Sequence, residues 1–233
     1  MIGMDTFAQT GSAPLSLTRS GESKVYGLFA VAMALTLLGI YVGSVFSSVL
    51  LGTGVSLVLL FVELGLILSA PFWSRHAPWN YLLFGAFPIL SGITLTPYIL
   101  YVATGYVNGT SILMNAVSAT ACMALAAAVV ARMTSWNLGA ISRALFMGLI
   151  GLLLLGVLQI FVPSLRTGTF ELVLSGAGVL LFSAFLAYDL QRVQASARVG
   201  ANPFLLALSL YLDLFNLFLY VLRFMTALSG DRR

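Results

Sequence analysis

The sequence predicts an all-α, polytopic membrane protein of seven transmembrane helices, and three observations predict it. The 233-residue chain is 60% hydrophobic and only 8% charged, with a mean hydropathy of +1.04. That leaves too little polar surface for a soluble domain of this size. Seven apolar stretches, each near the ~20 residues needed to cross a bilayer, account for almost the whole length. Strand-like alternation is absent, and an unpaired backbone cannot cross lipid, so every span is expected to be helical.

Residues 1–24 are polar and rich in Ser, Thr and Gly, and read as a flexible cytoplasmic tail. The transmembrane domain is expected over 25–226, with a short tail at 227–233. Span 1, residues 25–48, is longer than a signal-peptide core and ends without a small-residue cleavage pattern, so it is retained. Its Gly39-Ile-Tyr-Val-Gly43 spacing marks a close-packing face. Span 2, residues 55–72, carries Glu63, which is too deep to be an interfacial anchor and is expected to line an interior cavity. Span 3, residues 80–103, contains Pro88 and Pro97, which predict a kink. Span 4, residues 111–131, is alanine-rich and holds Cys122 as a small apolar filler. Cys122 is the single cysteine, so no intrachain disulfide can form. Span 5, residues 143–162, repeats small residues at Gly148, Gly151 and Gly156. Spans 6 and 7 cover 170–190 and 203–226, and the turn-like Gly200-Ala-Asn-Pro203 separates them.

Basic residues fall in alternate connections. Arg19 and Lys24 precede span 1, and Arg75 and His76 follow span 2. Arg132 and Arg143 flank the loop after span 4, and Arg192 and Arg198 follow span 6. The remaining loops hold only Arg166, so the positive-inside rule puts the N-terminus in the cytoplasm. Arg232 and Arg233 at the other end run against seven full crossings. The net charge of +4 is scattered over many loops, which argues against a nucleic-acid partner. The only lysine, Lys24, precedes span 1 and cannot hold retinal within the bundle. One histidine, His76, supplies neither a bis-His haem nor an HExxH zinc site. No cofactor is expected.

Two acidic residues lie inside spans near the last turn: Asp189 in Phe185-Leu-Ala-Tyr-Asp-Leu-Gln191, and Asp213 in Leu208-Ser-Leu-Tyr-Leu-Asp-Leu-Phe-Asn216. A carboxylate at membrane depth costs at least ~2.5 kcal/mol, so it faces the protein interior and has a role there. Asp189 and Asp213 lie 213 − 189 = 24 positions apart, with the midpoint in the turn, so a helical hairpin brings them to one depth. Two close carboxyls in a low-dielectric site share a proton. The pair is then a natural pH sensor and, when ionised, a ligand set for a hard cation such as Ca²⁺. The plainer reading is that each aspartate bonds a neighbour such as Ser209 or Asn216. Arg75, at the end of span 2, is either an interfacial anchor or a partner that competes with Asp213 for Asp189. Arg192 is placed for an (i, i+3) ion pair with Asp189.

The C-terminal third resembles the Bax inhibitor-1 family of transmembrane Bax-inhibitor-motif proteins. The resemblance rests on Ala187-Tyr-Asp-Leu-Gln-Arg-Val193 and on Ala207-Leu-Ser-Leu-Tyr-Leu-Asp-Leu-Phe-Asn-Leu-Phe-Leu219. Glu63 with Gly65, and the seven-span length, extend it over most of the chain. The resemblance implies a central last helix wrapped by the other six, and a pH-sensitive calcium leak across the membrane. It implies that Asp189 exchanges between Asp213 in a closed state and an arginine in an open one, with Arg75 the candidate. It also implies a bacterial inner-membrane protein whose relatives are linked to membrane-protease regulation.

Three functions compete on these residues. The leading one is a proton-gated calcium leak, with the bilayer, Ca²⁺ and protons as partners. The second is a non-conducting scaffold that modulates a membrane protease or a stress or cell-death pathway. The third is an intramembrane aspartyl protease, which Tyr188-Asp189 suits but Leu210-Tyr-Leu-Asp213 does not, because it lacks the Gly-x-Gly-Asp glycines. No enzyme is expected. The topology is testable directly: in a Cys122→Ala background, cysteines placed at Ser16 and Ser164 should label from opposite sides of the membrane. Labelling of both from one side would refute the seven crossings.

Overall fold

The computed structural model describes residues 14–50, 54–134, 137–165, 167–196 and 200–230. Seven helices among them are long and apolar enough to cross a membrane, and the described residues contain no β-strand. Span 1 is Pro14–Val45, span 2 Val55–Trp73, span 3 Trp79–Gly105 and span 4 Gly109–Met133. Span 5 is Ser142–Phe161, span 6 Gly168–Ser196 and span 7 Pro203–Ser229. The protein is an all-α polytopic membrane protein.

The boundaries differ from expectation where a helix runs on past its apolar core. Span 1 begins at Pro14 rather than near Val25, so residues 14–24 are helical and not tail. Proline suits a first helical position because the missing N–H has no intrahelical partner there. Each further residue of a nucleated helix then adds one hydrogen bond. Residues 1–13, and with them most of the expected tail, lie outside the described residues, as do Arg166, Arg198, Arg232 and Arg233. Span 6 continues past Leu190 to Ser196, carrying Gln191, Arg192 and Gln194 on an added polar end. Span 7 continues to Ser229, and Gly230 ends it with φ +58°, a conformation glycine adopts without strain.

Span 7 is the centre of the bundle. Half of its apolar window is buried, against 6% for span 2 and 11% for span 5. Spans 1, 3, 4 and 6 pack directly on it, while spans 2 and 5 sit outside, mainly on span 3 and span 6 respectively. The expected wrapping by six helices is therefore a wrapping chiefly by four. The outer helices turn apolar side chains such as Phe61, Leu68 and Phe72, or Leu153 and Leu154, away from the protein. That outward apolar face is what lipid contact requires. Cys122 is exposed on span 4 and fills no interior gap.

Spans 1 and 3 meet at backbone distance, and glycine is the reason. A Cβ at Gly39 would fall on the Ile89 carbonyl, and one at Gly92 on the Thr36 carbonyl. Gly43 is similarly closed off by the Thr96 hydroxyl. The Gly39…Gly43 face is thus spent on span 3, as small-residue packing between membrane helices leads one to expect. Span 3 stays helical through Pro88 and Pro97. Nearby hydroxyls bond back into the helix, Ser91 Oγ to Phe87 O at 3.1 Å and Thr96 Oγ1 to Gly92 O at 2.9 Å. By contrast, Gly151 and Gly156 of span 5 face open space.

These two classes of glycine separate under mutation. Gly92→Val should destabilise the detergent-solubilised protein by about 1–3 kcal/mol, the usual cost of overpacking. Gly151→Ala should leave the thermal midpoint unchanged or raise it. Equal effects at both positions would mean that the close contact of spans 1 and 3 does not support the fold.

Candidate functional site

The site follows from helix geometry on span 7. Ser209 and Asp213 are four residues apart, so they stack on one face. Tyr211, midway between them, is turned by about 200° to the opposite face. There its hydroxyl hydrogen-bonds Thr36 Oγ1 of span 1 at 2.9 Å, and its ring lies edge-on to Phe87 of span 3 at 5.7 Å. Tyr211 thereby fixes the rotation of span 7 and aims Ser209 and Asp213 at span 6.

Span 6 presents Asp189 to that face. Asp189 is 4% exposed and Asp213 is 7% exposed. The Ser209 hydroxyl donates to Asp189 Oδ2 across the two helices. Asp213, one turn further along span 7, is buried on the same face and close enough to Asp189 for the two carboxyls to interact electrostatically. Asp189 therefore inserts between two groups one turn apart on span 7. On its other side Arg192 Nη1 approaches Oδ1 at 3.5 Å, the (i, i+3) pair expected from the sequence. Asp213 Oδ2 is buried and has no hydrogen-bond partner among the described residues.

This arrangement is asymmetric. Asp189 has a hydroxyl and a guanidinium; Asp213 has Asp189 and an orphaned oxygen. Two full charges about 4 Å apart would repel by about 4 kcal/mol at an effective dielectric of about 20. One proton between the carboxyls would remove that repulsion.

The pair is a poor resident metal site. Ca²⁺ takes 6–8 oxygen ligands, whereas two carboxyls and the Ser209 hydroxyl are what gather here. The described residues contain no cluster of three or more side chains of the kinds that hold metal ions.

The other expected residues are placed elsewhere. Arg75 is exposed at the end of span 2 and forms no ion pair among the described residues. Glu63 is half-buried between spans 2 and 3, where Thr94 Oγ1 donates to it at 2.5 Å and Ser91 Oγ at 3.3 Å. These two hydroxyls of span 3 are its partners. Asn216 does not reach the pair; its Nδ2 donates to Leu212 O at 2.7 Å.

A second polar centre, not anticipated from the sequence, lies towards the other end of the same hairpin. Arg223 Nε donates to Glu171 Oε1 at 2.6 Å, and Gln159 Nε2 to Glu171 Oε2 at 3.2 Å. Two cavities of about 630 and 470 Å³ share Tyr98 and Glu171 in their walls. The smaller one reaches Asn216, one helical turn beyond Asp213. Glu171 sits at the edge of its apolar run. The available signal was Arg223, since a lone arginine inside a span needs an acidic partner.

Comparison with known proteins adds identity over nearly the whole chain. The family model for inhibitors of apoptosis-promoting Bax1 matches residues 18–230. An uncharacterized protein of Campylobacter jejuni is 30% identical over 223 residues, covering 91% of this chain and 93% of its own. One from Rickettsia prowazekii is 28% identical over 223 residues, 90% of this chain and 89% of its own. The Golgi anti-apoptotic protein of Vaccinia virus (strain Lister) is 28% identical over 221 residues, 93% of this chain and 89% of its own.

A double-mutant cycle tests the second centre. Arg223→Gln should cost about 1 kcal/mol of stability, the upper range for a partly exposed ion pair. Glu171→Gln in the same chain should restore most of that loss, because no unpaired carboxylate then remains. Simple addition of the two losses would show that the pair carries no coupling.

Proposed function

The chain belongs to the Bax inhibitor-1 family, and on that premise we propose that it is a pH-sensitive calcium leak gated by Asp189 and Asp213. The observation that carries the reading is the buried carboxyl pair across spans 6 and 7, with Asp213 Oδ2 unpartnered. A shared proton holds the two side chains together and keeps the path shut. Loss of that proton makes them repel, and Asp189 turns to a cation. Arg192 is already beside it at 3.5 Å. Arg75 is the candidate that would have to move to reach it, and Ca²⁺ is the mobile alternative. The smaller cavity, which reaches Asn216, supplies a polar approach from the far side of the pair. The reading places the protein in a bacterial inner membrane with its N-terminus in the cytoplasm, and assigns it no catalytic step.

A second reading is favoured by one observation, the viral relative named as a Golgi anti-apoptotic protein. Here the chain conducts nothing and acts through a protein partner, such as a membrane protease or a component of a stress or cell-death pathway.

Calcium flux into proteoliposomes across pH 5 to 8 separates the two. The parent leak should rise with pH, by at most about tenfold per unit for a single shared proton. Asp213→Asn should flatten the profile, because an amide neither repels Asp189 nor titrates. Asp189→Ala should lower flux or abolish its pH response. Arg75→Ala should bias the protein towards the closed pairing. Retention of the parent midpoint and slope in all three variants would make the pair structural, and absence of parent flux would favour the partner reading.

A further inference from the structure

From the cavity at the turn between spans 6 and 7 we infer a binding site for a phosphate group, of the kind carried by an anionic phospholipid headgroup. The cavity, of about 500 Å³, lies between the end of span 2, the start of span 3 and the Gly200–Phe204 turn, with Lys24 of span 1 at its wall. Lys24 and Arg75 both line it and both are exposed. Its described lining contains no carboxylate, and neither cation has an ion-pair partner among the described residues. Two unpaired cations facing one concavity favour a multiply charged anion.

The wall is built rather than loose. Asn202 caps span 7 by accepting from Phe204 N at 2.9 Å. Its amide donates to Ser74 O and to Ser74 Oγ, both at 3.1 Å. Ser74 itself is 2% exposed. The turn and the end of span 2 are therefore locked together beneath Arg75. The Lys24 ammonium lies 5.7 Å from the centroid of the Phe204 ring, which places the charge at the cavity without neutralising it. Asn80 adds a polar side chain at the margin. The start of span 7, a 27-residue helix, brings the positive end of its dipole to the same place.

The location selects the ligand. The cavity opens where the polar ends of three membrane helices meet, which is the depth of lipid headgroups. Arg75 extends two donors in a plane suited to phosphate oxygens, and Lys24 adds a compact charge. Occupation would also hold Arg75 at the rim, away from Asp189. The site stands independently of the calcium reading, because binding is measured without flux.

The test uses the full-length protein in a neutral detergent, where no charged surface obscures a local site. Native mass spectrometry would count bound phosphatidylglycerol against phosphatidylcholine, and a parallel thermal-shift titration would use inorganic phosphate. The parent should retain phosphatidylglycerol selectively. The double variant Lys24→Gln/Arg75→Gln should lose about 25-fold in affinity, about a factor of five for each basic side chain. Arg75→Lys should retain most of the binding, and Arg143→Gln, at the start of span 5, should behave as the parent. Loss confined to the inorganic phosphate arm would assign the site to a free phosphate rather than a lipid. Equal retention of both ligands by the parent and the double variant would overturn the proposal.

Discussion

The carboxyl of Asp213 on span 7 cannot meet lipid, and the order of the bundle follows from that constraint. A helix carrying an acidic side chain at mid-depth must be surrounded. Span 7 also carries Tyr211 and Ser209, whose hydroxyls need partners at the same level. Spans 1 and 3 serve Tyr211, and span 6 serves Ser209 and Asp213. The two faces of one helix thus recruit different neighbours. Spans 2 and 5, whose exposed faces are apolar, are left for the periphery. Fold and site share a cause, because the residues that form the aspartate centre also decide which helix is innermost.

Close approach of backbones is the second condition. Spans 1 and 3 reach span 7 as a unit because Gly39 and Gly92 let their main chains touch. On the other side, Gly178 leaves room for the Tyr220 ring to lie on span 6. Larger residues would move spans 1 and 3 apart and withdraw the Thr36 hydroxyl from Tyr211. The rotation of span 7 would then be free, and the aim of Asp213 at span 6 with it.

Much of this was legible in the sequence, for physical reasons that differ between elements. The seven spans were readable because lipid demands long apolar helices, and the aspartates because a charge at depth is conspicuous. The Arg192–Asp189 contact follows from helical spacing alone. What was not legible depends on rotation and neighbour choice. Periodicity along span 7 does not say that Ser209 bonds Asp189 on another helix rather than Asp213 on its own. The partner of Arg223 could not be read either, since Glu171 and Gln159 lie on spans whose facing sides are set only by packing. Glu63 stood out by depth, yet its partners Ser91 and Thr94 are hydroxyls in a span marked in sequence only by its prolines. Helix ends were displaced wherever polar residues continued a helix that the apolar pattern had already left.

The hairpin of spans 6 and 7 is fastened on both sides of the aspartates. At one end Asn202, in the turn, is tied to Ser74 at the foot of span 2. Towards the other, Arg223 is bound to Glu171, and Tyr220 is seated against Gly178. Repulsion between Asp189 and Asp213 of a few kcal/mol acts between these two fastenings. Parting the helices would break a charge-assisted hydrogen bond and expose buried aromatic surface at one end, or pull out a satisfied cap at the other. Those losses add up, about 1 kcal/mol for the partly exposed ion pair and about 0.5–1.5 kcal/mol for each neutral hydrogen bond of the turn, with the aromatic burial beside them, and so are of the same order as the repulsion. In the proposed gating the cheaper response would be local, a swing of the Asp189 side chain from Asp213 towards a cation. Under the proposed gating, the ion pair and the pinned turn would confine a change of charge at the aspartates to a change of partner.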